Sequence, residues 1–250
     1  MFDLDICPLD LIMFAGSGVV SRIIKITSDM HTGYDRFTHV GIVVSRELLP
    51  FVTEMEPNKL YVLESIMSSS WLPETDGVPN IEDKYTFGVQ IRELEPVIRA
   101  YISANGKESV TWGKVANSPW RQGNKSRAKR AVKDAYKLYG DAPYDITGTA
   151  YAITPYWMHR YMRACSCMRS ELHNVLDDAD VPPRLTSLLD PNAQFCSELA
   201  ANIYQRLGLI DTSLDARKFT PVEIVFGLHD RPEAVRLDVS ELIDVDVGDK

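Results

Sequence analysis

Short apolar runs, separated by turn residues, characterise the first half of the chain. Residues 11–14, 40–44 and 61–66 are mostly apolar and rich in branched side chains, which is typical of buried strands. Residues 87–94 alternate in the manner of a half-buried strand. Asn105-Gly106, which separates two further apolar stretches, predicts the turn of a β-hairpin. We therefore expect most of the strands in this half.

Apolar side chains at steps of three and four predict helices, most of them in the second half. The predicted helices are residues 19–27, 126–139, 156–176 and 196–207. Basic residues lie mostly off the apolar face of the second helix, which consists of Ala128, Ala131, Val132, Ala135, Leu138 and Tyr139. A glycine follows the second and the fourth helix and is placed to end each. Strands followed by helices predict a fold of the α+β class.

The composition is that of a globular chain that can bury a core. Of the 250 residues, 45% are hydrophobic and 25% are charged, which argues against disorder, collagen and coiled coil. We interpret residues 1–250 as a single domain, with a helical insertion at about 150–190 and a C-terminal extension at about 228–250. That extension reads as an edge strand or a flexible acidic tail. The net charge of −8 argues against a general nucleic-acid binder.

No export or membrane signal is visible in the sequence. The first five residues carry acid where a signal peptide carries base. No run approaches the roughly 18 consecutive apolar residues of a transmembrane helix. We expect a protein without a signal peptide or a transmembrane segment, located in the cytoplasm or packaged in a virus particle.

A cysteine, a histidine and a glutamate lie where a nucleophilic site requires them. Cys196 falls in the first turn of a predicted helix, where unpaired N–H groups and the helix dipole favour a thiolate. His39 lies at the edge of a predicted strand, where it can act as base and then as acid. Glu64, on the next predicted strand, can orient the imidazole. Each residue alone is also typical of a structural role, so the interpretation depends on their combination.

A zinc site is a second interpretation of the cysteines and histidines. Its ligands would be Cys165, Cys167, His159 and His173. The C-x-C spacing differs from that of structural zinc sites, and residues two apart point about 200° apart on a helix. We therefore expect no metal, and we interpret every cysteine other than Cys196 as an ordinary thiol. His31, which competes with His39, lies in a predicted loop.

Five segments follow one another in an order that resembles a known family. They are Asp10-Leu11-Ile12, Thr38-His39-Val40-Gly41-Ile42-Val43, Leu63-Glu64-Ser65, Gly140 with Tyr144-Asp145, and Phe195-Cys196-Ser197-Glu198-Leu199. Over roughly residues 10–208 the chain resembles the permuted NlpC/P60 papain-like cysteine hydrolases. That family includes YiiX-type and poxviral members and is related to the lecithin:retinol acyltransferase-like enzymes.

The resemblance implies a circularly permuted papain-like fold, with an antiparallel sheet packed on helices and the histidine before the cysteine. Cys196 is implied as the nucleophile, His39 as the base and Glu64 as the third member. The backbone N–H of Cys196 would meet the oxyanion. Three further carboxylates follow His39 and remain alternatives to the third member: Glu47, Glu54 and Glu56. Support or substrate-pocket roles are implied for Asp10, Tyr144 and Ser197.

Two segments depart from this pattern. Residues 146–195, which include the predicted helix 156–176, are longer than the family connection. Their arginines and methionines are compatible with a lid, a lipid-facing surface, a docking face or simple packing. In an acidic chain, residues 121–137 hold one acid and seven basic residues: Arg121, Lys125, Arg127, Lys129, Arg130, Lys133 and Lys137. We interpret them as a solvated helix face or as a contact with an anionic membrane surface.

These observations predict a thiol hydrolase or acyltransferase that needs no cofactor. Cys196 would attack the carbonyl of an amide, ester or thioester, and an acyl-enzyme would be resolved by water or another acceptor. The substrate would be a peptide or an acyl lipid. The competing hypothesis is a non-catalytic binding module or a structural component of a virus particle built on the same fold.

Overall fold

The structure, a computed structural model, describes residues 4–16, 36–66, 78–84, 88–140, 142–145, 193–227 and 232–245. Several sequence predictions fall outside these ranges. They are the helices at 19–27 and 156–176, the insertion at about 150–190, and the residues His31, His159, Cys165, Cys167 and His173.

The described residues form one mixed sheet-and-helix structure, which confirms the α+β class. Its six strands are β1 (Leu11–Phe14), β2 (His39–Ser45), β3 (Leu60–Ile66), β4 (Gly88–Glu93), β5 (Val110–Val115) and β6 (Val239–Asp244). They lie in the order β4-β3-β2-β1-β5-β6, and each neighbouring pair is antiparallel. The four described α-helices are α1 (Leu94–Asn105), α2 (Lys125–Tyr139), α3 (Cys196–Arg206) and α4 (Pro221–Phe226).

Helices cover both faces of the sheet. One face carries the larger core, in which α2, α3 and α4 pack on the strands. The other face packs on α1, through the apolar side chains Leu94, Val97, Ile98 and Tyr101. The central strands are therefore buried on both sides, which is why their sequences are apolar at nearly every position.

The predicted hairpin at Asn105-Gly106 is wrong. Residues 94–105 form α1, because their buried side chains are spaced at three and four rather than at two. Asn105-Gly106 ends this helix instead: Gly106 has φ +94°, and its N–H donates to the carbonyl of Ile102 at 2.8 Å. An Asn-Gly pair suits a helix C-terminus as well as a hairpin, since both require positive φ.

Residues 87–94 do not form a half-buried strand. The strand begins at Gly88, and all its residues before Glu93 are buried. The alternating polar positions, Gln90 and Arg92, are 5% and 1% exposed. They face the interior because the sheet is covered on both sides, and a period of two cannot distinguish solvent from a buried polar cluster.

The helix predicted at 126–139 begins one residue earlier, where the side chain of Asn124 accepts a hydrogen bond from the N–H of Arg127. Most of its predicted apolar face is buried, but Leu138 is 53% exposed.

At the C-terminal end, β6 pairs with β5 at the edge of the sheet, so the edge-strand alternative holds for this part of the extension. None of the described helices combines the length and apolarity needed to cross a membrane.

Candidate active site

The predicted nucleophile is the first residue of α3. Phe195, just before it, is extended and cannot cap the helix through its own side chain. Oε2 of Glu198 instead accepts a hydrogen bond from the Phe195 N–H at 3.3 Å. Cys196 is a free thiol and is 5% exposed. Because it opens the helix, its N–H has no intrahelical acceptor, and both its thiol and its N–H lie at the positive end of the helix dipole.

The segment before Cys196 is tied to β3 and to the Tyr144 segment. Oγ of Ser65 donates a hydrogen bond to the carbonyl of Gln194 at 2.5 Å. Gln194 and Tyr144 run side by side in parallel, joined through neighbouring residues by backbone hydrogen bonds of 2.9 and 3.1 Å. These contacts fix the start of α3 against the end of the sheet.

His39, the first residue of β2, reaches across to Glu64 on β3. Its Nε2 lies 2.6 Å from Oε2 of Glu64. The glycine at position 41 allows β2 and β3 to approach closely beside this contact. A Cβ there would lie 2.3 Å from the side chain of Val62 and 3.4 Å from the Cβ of Glu64. The imidazole also packs against the ring of Phe14, with centroids 5.4 Å apart.

The side chains of His39 and Cys196 are hydrogen-bonded to each other. Since Glu64 occupies Nε2, the ring nitrogen left for the sulfur is Nδ1. The backbone N–H groups of Val40 and Ser197 also donate to the sulfur.

These contacts favour charge on both partners. Burial raises the pKa of the Cys196 thiol, but the imidazolium of His39 and the two amides outweigh it, and the pKa lies below its ordinary value. Burial also disfavours protonation of His39, yet Cys196 and Glu64 raise the pKa of the imidazole to about 9. The contacts therefore favour the charged forms, thiolate and imidazolium, and the thiolate is the form in which a cysteine is nucleophilic.

Glu64 is a fully buried carboxylate held between two cations. Nε of Arg92, on β4, donates to Oε1 of Glu64 at 2.6 Å, and the two side chains are 1% and 0% exposed. Burial alone would raise the pKa of Glu64, but Arg92 and His39 lower it to about 2. One oxygen thus binds a guanidinium and the other orients the imidazole.

The alternative third members do not reach this cluster. Glu47, Glu54 and Glu56 are all exposed. The first pairs with two lysines of α2 at 3.3 and 3.5 Å, and the third pairs with Lys59 at 2.9 Å. Among the four candidate carboxylates, only Glu64 contacts His39.

Asp10 serves as a support rather than as a pocket residue. Its Oδ2 accepts hydrogen bonds from the N–H of Cys7 at 2.9 Å, the indole of Trp112 at 3.0 Å and Nη2 of Arg121 at 2.7 Å. Its Oδ1 accepts from the N–H of Val115 at 3.1 Å and from Nε of Arg121 at 3.2 Å. With five donors on two oxygens, this buried carboxylate joins β1 to β5 and has no lone pair left for a ligand.

Ser197 and Tyr144 are support residues too. The hydroxyl of Ser197 is buried and donates to the carbonyl of Phe219 at 2.6 Å, so only its backbone N–H serves the sulfur. Tyr144 is 6% exposed and runs alongside Gln194. Ser197 thus ties the start of α3 to Phe219, and the Tyr144 segment pairs with the residues just before the helix.

Arg92 is the site residue that sequence reasoning missed. Its strand alternates polar and apolar positions, which predicted a solvent-exposed polar face. The polar side chains Gln90 and Arg92 instead face inward on the side of Glu64, which lies opposite Gln90. An arginine in an otherwise buried strand, pairing with a strand that holds a lone glutamate, is a signal that could have found this contact.

Much of the predicted basic surface is occupied by the protein itself. Arg121 binds Asp10 and Asp5 and is 13% exposed. Lys125 and Lys129 pair with Glu47, and Arg127 donates to the carbonyl of Leu207 at 2.6 Å. Among the described residues, the exposed cations of α2 with neither an ion pair nor a side-chain hydrogen bond are Arg130, Lys133 and Lys137.

Cys7 provides an internal contrast to Cys196. It is half-buried, and burial raises the pKa of its thiol.

In the part of the chain that the structure describes, no group of three or more His, Cys, Asp or Glu side chains could hold a metal ion.

In comparisons with known proteins, no family model matches this sequence and no curated protein is similar to it at a significant level.

Proposed function

We propose that the protein is a cysteine hydrolase or acyltransferase with a circularly permuted papain-like fold. The observation that supports this most strongly is the continuous contact from Cys196 through His39 to Glu64. Thiol, imidazole and carboxylate are the three groups of a nucleophile–base–orienter set. The histidine precedes the cysteine in the chain, which agrees with a permuted arrangement.

The proposed reaction proceeds through an acyl-enzyme. The Cys196 thiolate attacks the carbonyl carbon of an amide, ester or thioester, a C–S bond forms, and the carbonyl π electrons move to oxygen. The N–H of Cys196 donates to this oxyanion. As the intermediate collapses, the bond to the leaving group breaks and His39 gives its proton to the departing amine, alcohol or thiol.

Water or another acceptor completes the cycle. Neutral His39 removes the acceptor's proton as the acceptor attacks the acyl carbon, and the C–S bond breaks to restore the thiolate. Glu64 keeps the imidazole ring oriented and stabilises its charged form throughout. Hydrolase and acyltransferase differ only in this acceptor, so the same residues serve both.

An acyl lipid at an anionic surface is the substrate class that we favour over a peptide. Among the described residues of this acidic protein, the α2 cations Arg130, Lys133 and Lys137 have no ion-pair partner, and the exposed Leu138 follows Lys137 in the sequence. Each cation near a membrane contributes about 1 kcal/mol of attraction to anionic lipid. Changing all three to Ser should weaken binding to phosphatidylserine vesicles roughly 100-fold. Changing Lys125 and Lys129, which already pair with Glu47, should weaken it much less.

The test of the proposed function is to incubate the purified protein with a peptide amide, a phospholipid and an acyl thioester, and to search for an acyl adduct by mass spectrometry. The proposal expects turnover of at least one substrate and an adduct on Cys196. Cys196→Ala should be inactive, and Cys7→Ala, the matched control, should be fully active. A structural or binding module would give neither turnover nor adduct, and activity in Cys196→Ala would contradict the proposal.

A further inference from the structure

Arg92 is among the most buried charged side chains described, and the proposed mechanism has not yet given it a role. We propose that Arg92 is a positioning residue, which holds Glu64 charged and oriented so that Glu64 can in turn activate the His39–Cys196 pair. This inference rests on the proposed function. It adds a fourth residue that contacts neither the sulfur nor the substrate.

The sheet register brings the two side chains together. Arg92 lies opposite Val62, and Glu64 lies opposite Gln90, so Arg92 and Glu64 are diagonal neighbours on one face of β3 and β4. Nε of Arg92 reaches Oε1 of Glu64 at 2.6 Å, while Oε2 faces His39 at the same distance. The carboxylate is therefore fixed by contacts on both oxygens.

The charge balance explains why such a contact is needed. A buried carboxylate that lacks a compensating cation takes up a proton. A protonated Glu64 would no longer stabilise the imidazolium of His39, and without the imidazolium the Cys196 sulfur would return to the thiol form. Arg92 thus affects the protonation of the Cys196 sulfur indirectly, through Glu64 and His39.

Stability alone does not account for this arginine. Its Nη2 is buried and has no hydrogen-bond partner among the described residues. Burying a guanidinium with an unused donor is unfavourable, and a buried ion pair generally stabilises a fold no more than apolar side chains of similar size. A position that retains such a group fits a role in the site better than a role in the core.

Among the described residues, few charged groups face this cluster. His39 faces Glu64 from β2, Arg92 faces it from β4, and Cys196 acts on it from α3 through the imidazole. On α1, which packs on the same face of the sheet, the charged side chains Glu95 and Arg99 are exposed and pair with each other at 2.6 Å. A substitution of Arg92 should therefore affect Cys196 mainly through Glu64.

The test is the pH dependence of Cys196 alkylation by iodoacetamide in Arg92→Gln and Arg92→Lys, with Cys7 as internal reference. In Arg92→Gln the midpoint should move up by about one to two pH units towards that of an ordinary thiol, because the opposite charge beside Glu64 is lost. Arg92→Lys keeps the positive charge, so its alkylation midpoint should lie close to that of the wild-type protein. A wild-type midpoint in Arg92→Gln would overturn the inference.

The double variant Glu64→Gln/Arg92→Gln replaces the buried charges by a neutral pair, and keeps the test decisive if Arg92→Gln folds poorly. Its alkylation profile should match that of Glu64→Gln within about a factor of two, as expected for residues that act as one unit. A clearly larger effect in the double variant would show that Arg92 does not act through Glu64. If the wild-type Cys196 itself titrates as an ordinary thiol, the proposed function fails instead.

Discussion

Two fully buried carboxylates, Asp10 and Glu64, each bind an arginine, yet they lie in clusters of different kinds. Asp10 receives five hydrogen bonds, from two backbone N–H groups, an indole and two nitrogens of Arg121. Among the described residues, Oε1 of Glu64 binds the guanidinium of Arg92 and Oε2 contacts the imidazole of His39. The first cluster holds strands and loops together, and the second leads through the imidazole to the thiol of Cys196.

The difference shows how a buried charge can serve either the fold or the chemistry. When all the oxygen lone pairs of a carboxylate accept hydrogen bonds from donors fixed in the fold, it cannot bind a further partner. Such a carboxylate serves to hold strands together. A carboxylate that shares a proton donor with a nucleophile transmits its charge to that nucleophile. From the sequence alone both residues are acids beside apolar strands, and only their partners separate them.

The largest effect is expected at His39, which links the carboxylate to the thiol. His39→Ala removes the imidazolium, so the pKa of Cys196 should return to its ordinary value or above, because burial is then unopposed. At pH 6 the rate of Cys196 alkylation should fall by about 100-fold or more. Peptide mass spectrometry measures this, with Cys7 as a reference that should not change. An unaltered rate at Cys196 would remove the distinction between the two clusters.

Asp10 should affect folding instead of reactivity. Asp10→Asn removes the charge from a fully buried group that accepts five hydrogen bonds and turns an NH₂ towards donors that already point at it, so we expect a loss of about 3–5 kcal/mol in the free energy of unfolding, measured by urea denaturation. The folded fraction should retain the wild-type alkylation profile of Cys196. Asp5→Asn is the matched control: Asp5 binds the same arginine but is 72% exposed, so its loss should be below about 1 kcal/mol. Equal losses in the two variants would contradict this account of Asp10.

Glu64→Gln, unlike Asp10→Asn, should change the reactivity of Cys196. The amide keeps the size of the side chain but not its charge, so the imidazolium is less stable and the rate of Cys196 alkylation at pH 6 should fall by about 10- to 100-fold. Glu47→Gln, on the surface, should leave that rate unchanged. A normal rate in Glu64→Gln would indicate that Glu64 is a structural carboxylate like Asp10.

The smallest effect concerns Glu198, a third buried acid, two residues after the nucleophile. Burial and the charge of Asp145 raise the pKa of Glu198 to about 8. A raised carboxyl pKa means that the folded state binds the proton more tightly, so stability is lost as pH rises from about 4.5 to 8. Glu198→Gln should therefore raise the melting temperature at pH 8 by about 2–4 °C, on the order of 1 kcal/mol, and not at pH 4.

The exposed Glu233 supplies the control for this prediction. Glu233→Gln should leave the melting temperature unchanged at both pH values. If Glu198→Gln were destabilising at pH 8 as well as at pH 4, the hydrogen bond to Phe195 would outweigh the charge penalty, and the predicted pH dependence would be wrong.

Local pattern was sufficient for the elements that carry the site. The helix start at Cys196 and the apolar strands around His39 and Glu64 are encoded in short stretches, so the three residues could be predicted individually. Their contact, by contrast, depends on the antiparallel pairing of β2 with β3 and on the docking of α3, between residues 25 to 157 positions apart in the chain. A resemblance in motif order supplied that link at the level of sequence.

Other features could not be obtained from local pattern. The contact between Glu64 and Arg92 depends on the register of β3 and β4, and alternation in β4 wrongly indicated exposure of the arginine. Asn105-Gly106 is compatible with both a hairpin turn and a helix C-terminus. Only the helical spacing of the preceding apolar residues distinguishes the two. Asp10 stood in a family-like segment, but its five donors come from residues 3 to 111 positions away in the sequence.

The pH dependence of alkylation in the unmodified protein tests the central claim most directly. Iodoacetamide rates at Cys196 and Cys7 would be measured from about pH 5 to pH 9, which spans the ordinary thiol pKa of about 8.5. The account predicts that Cys196 remains reactive well below pH 7, because His39, whose pKa is raised to about 9, holds the sulfur as a thiolate. Cys7 should lose about tenfold for each pH unit below its own pKa. If the two cysteines fell in parallel, Cys196 would be an ordinary buried thiol and the proposed enzyme activity would be contradicted.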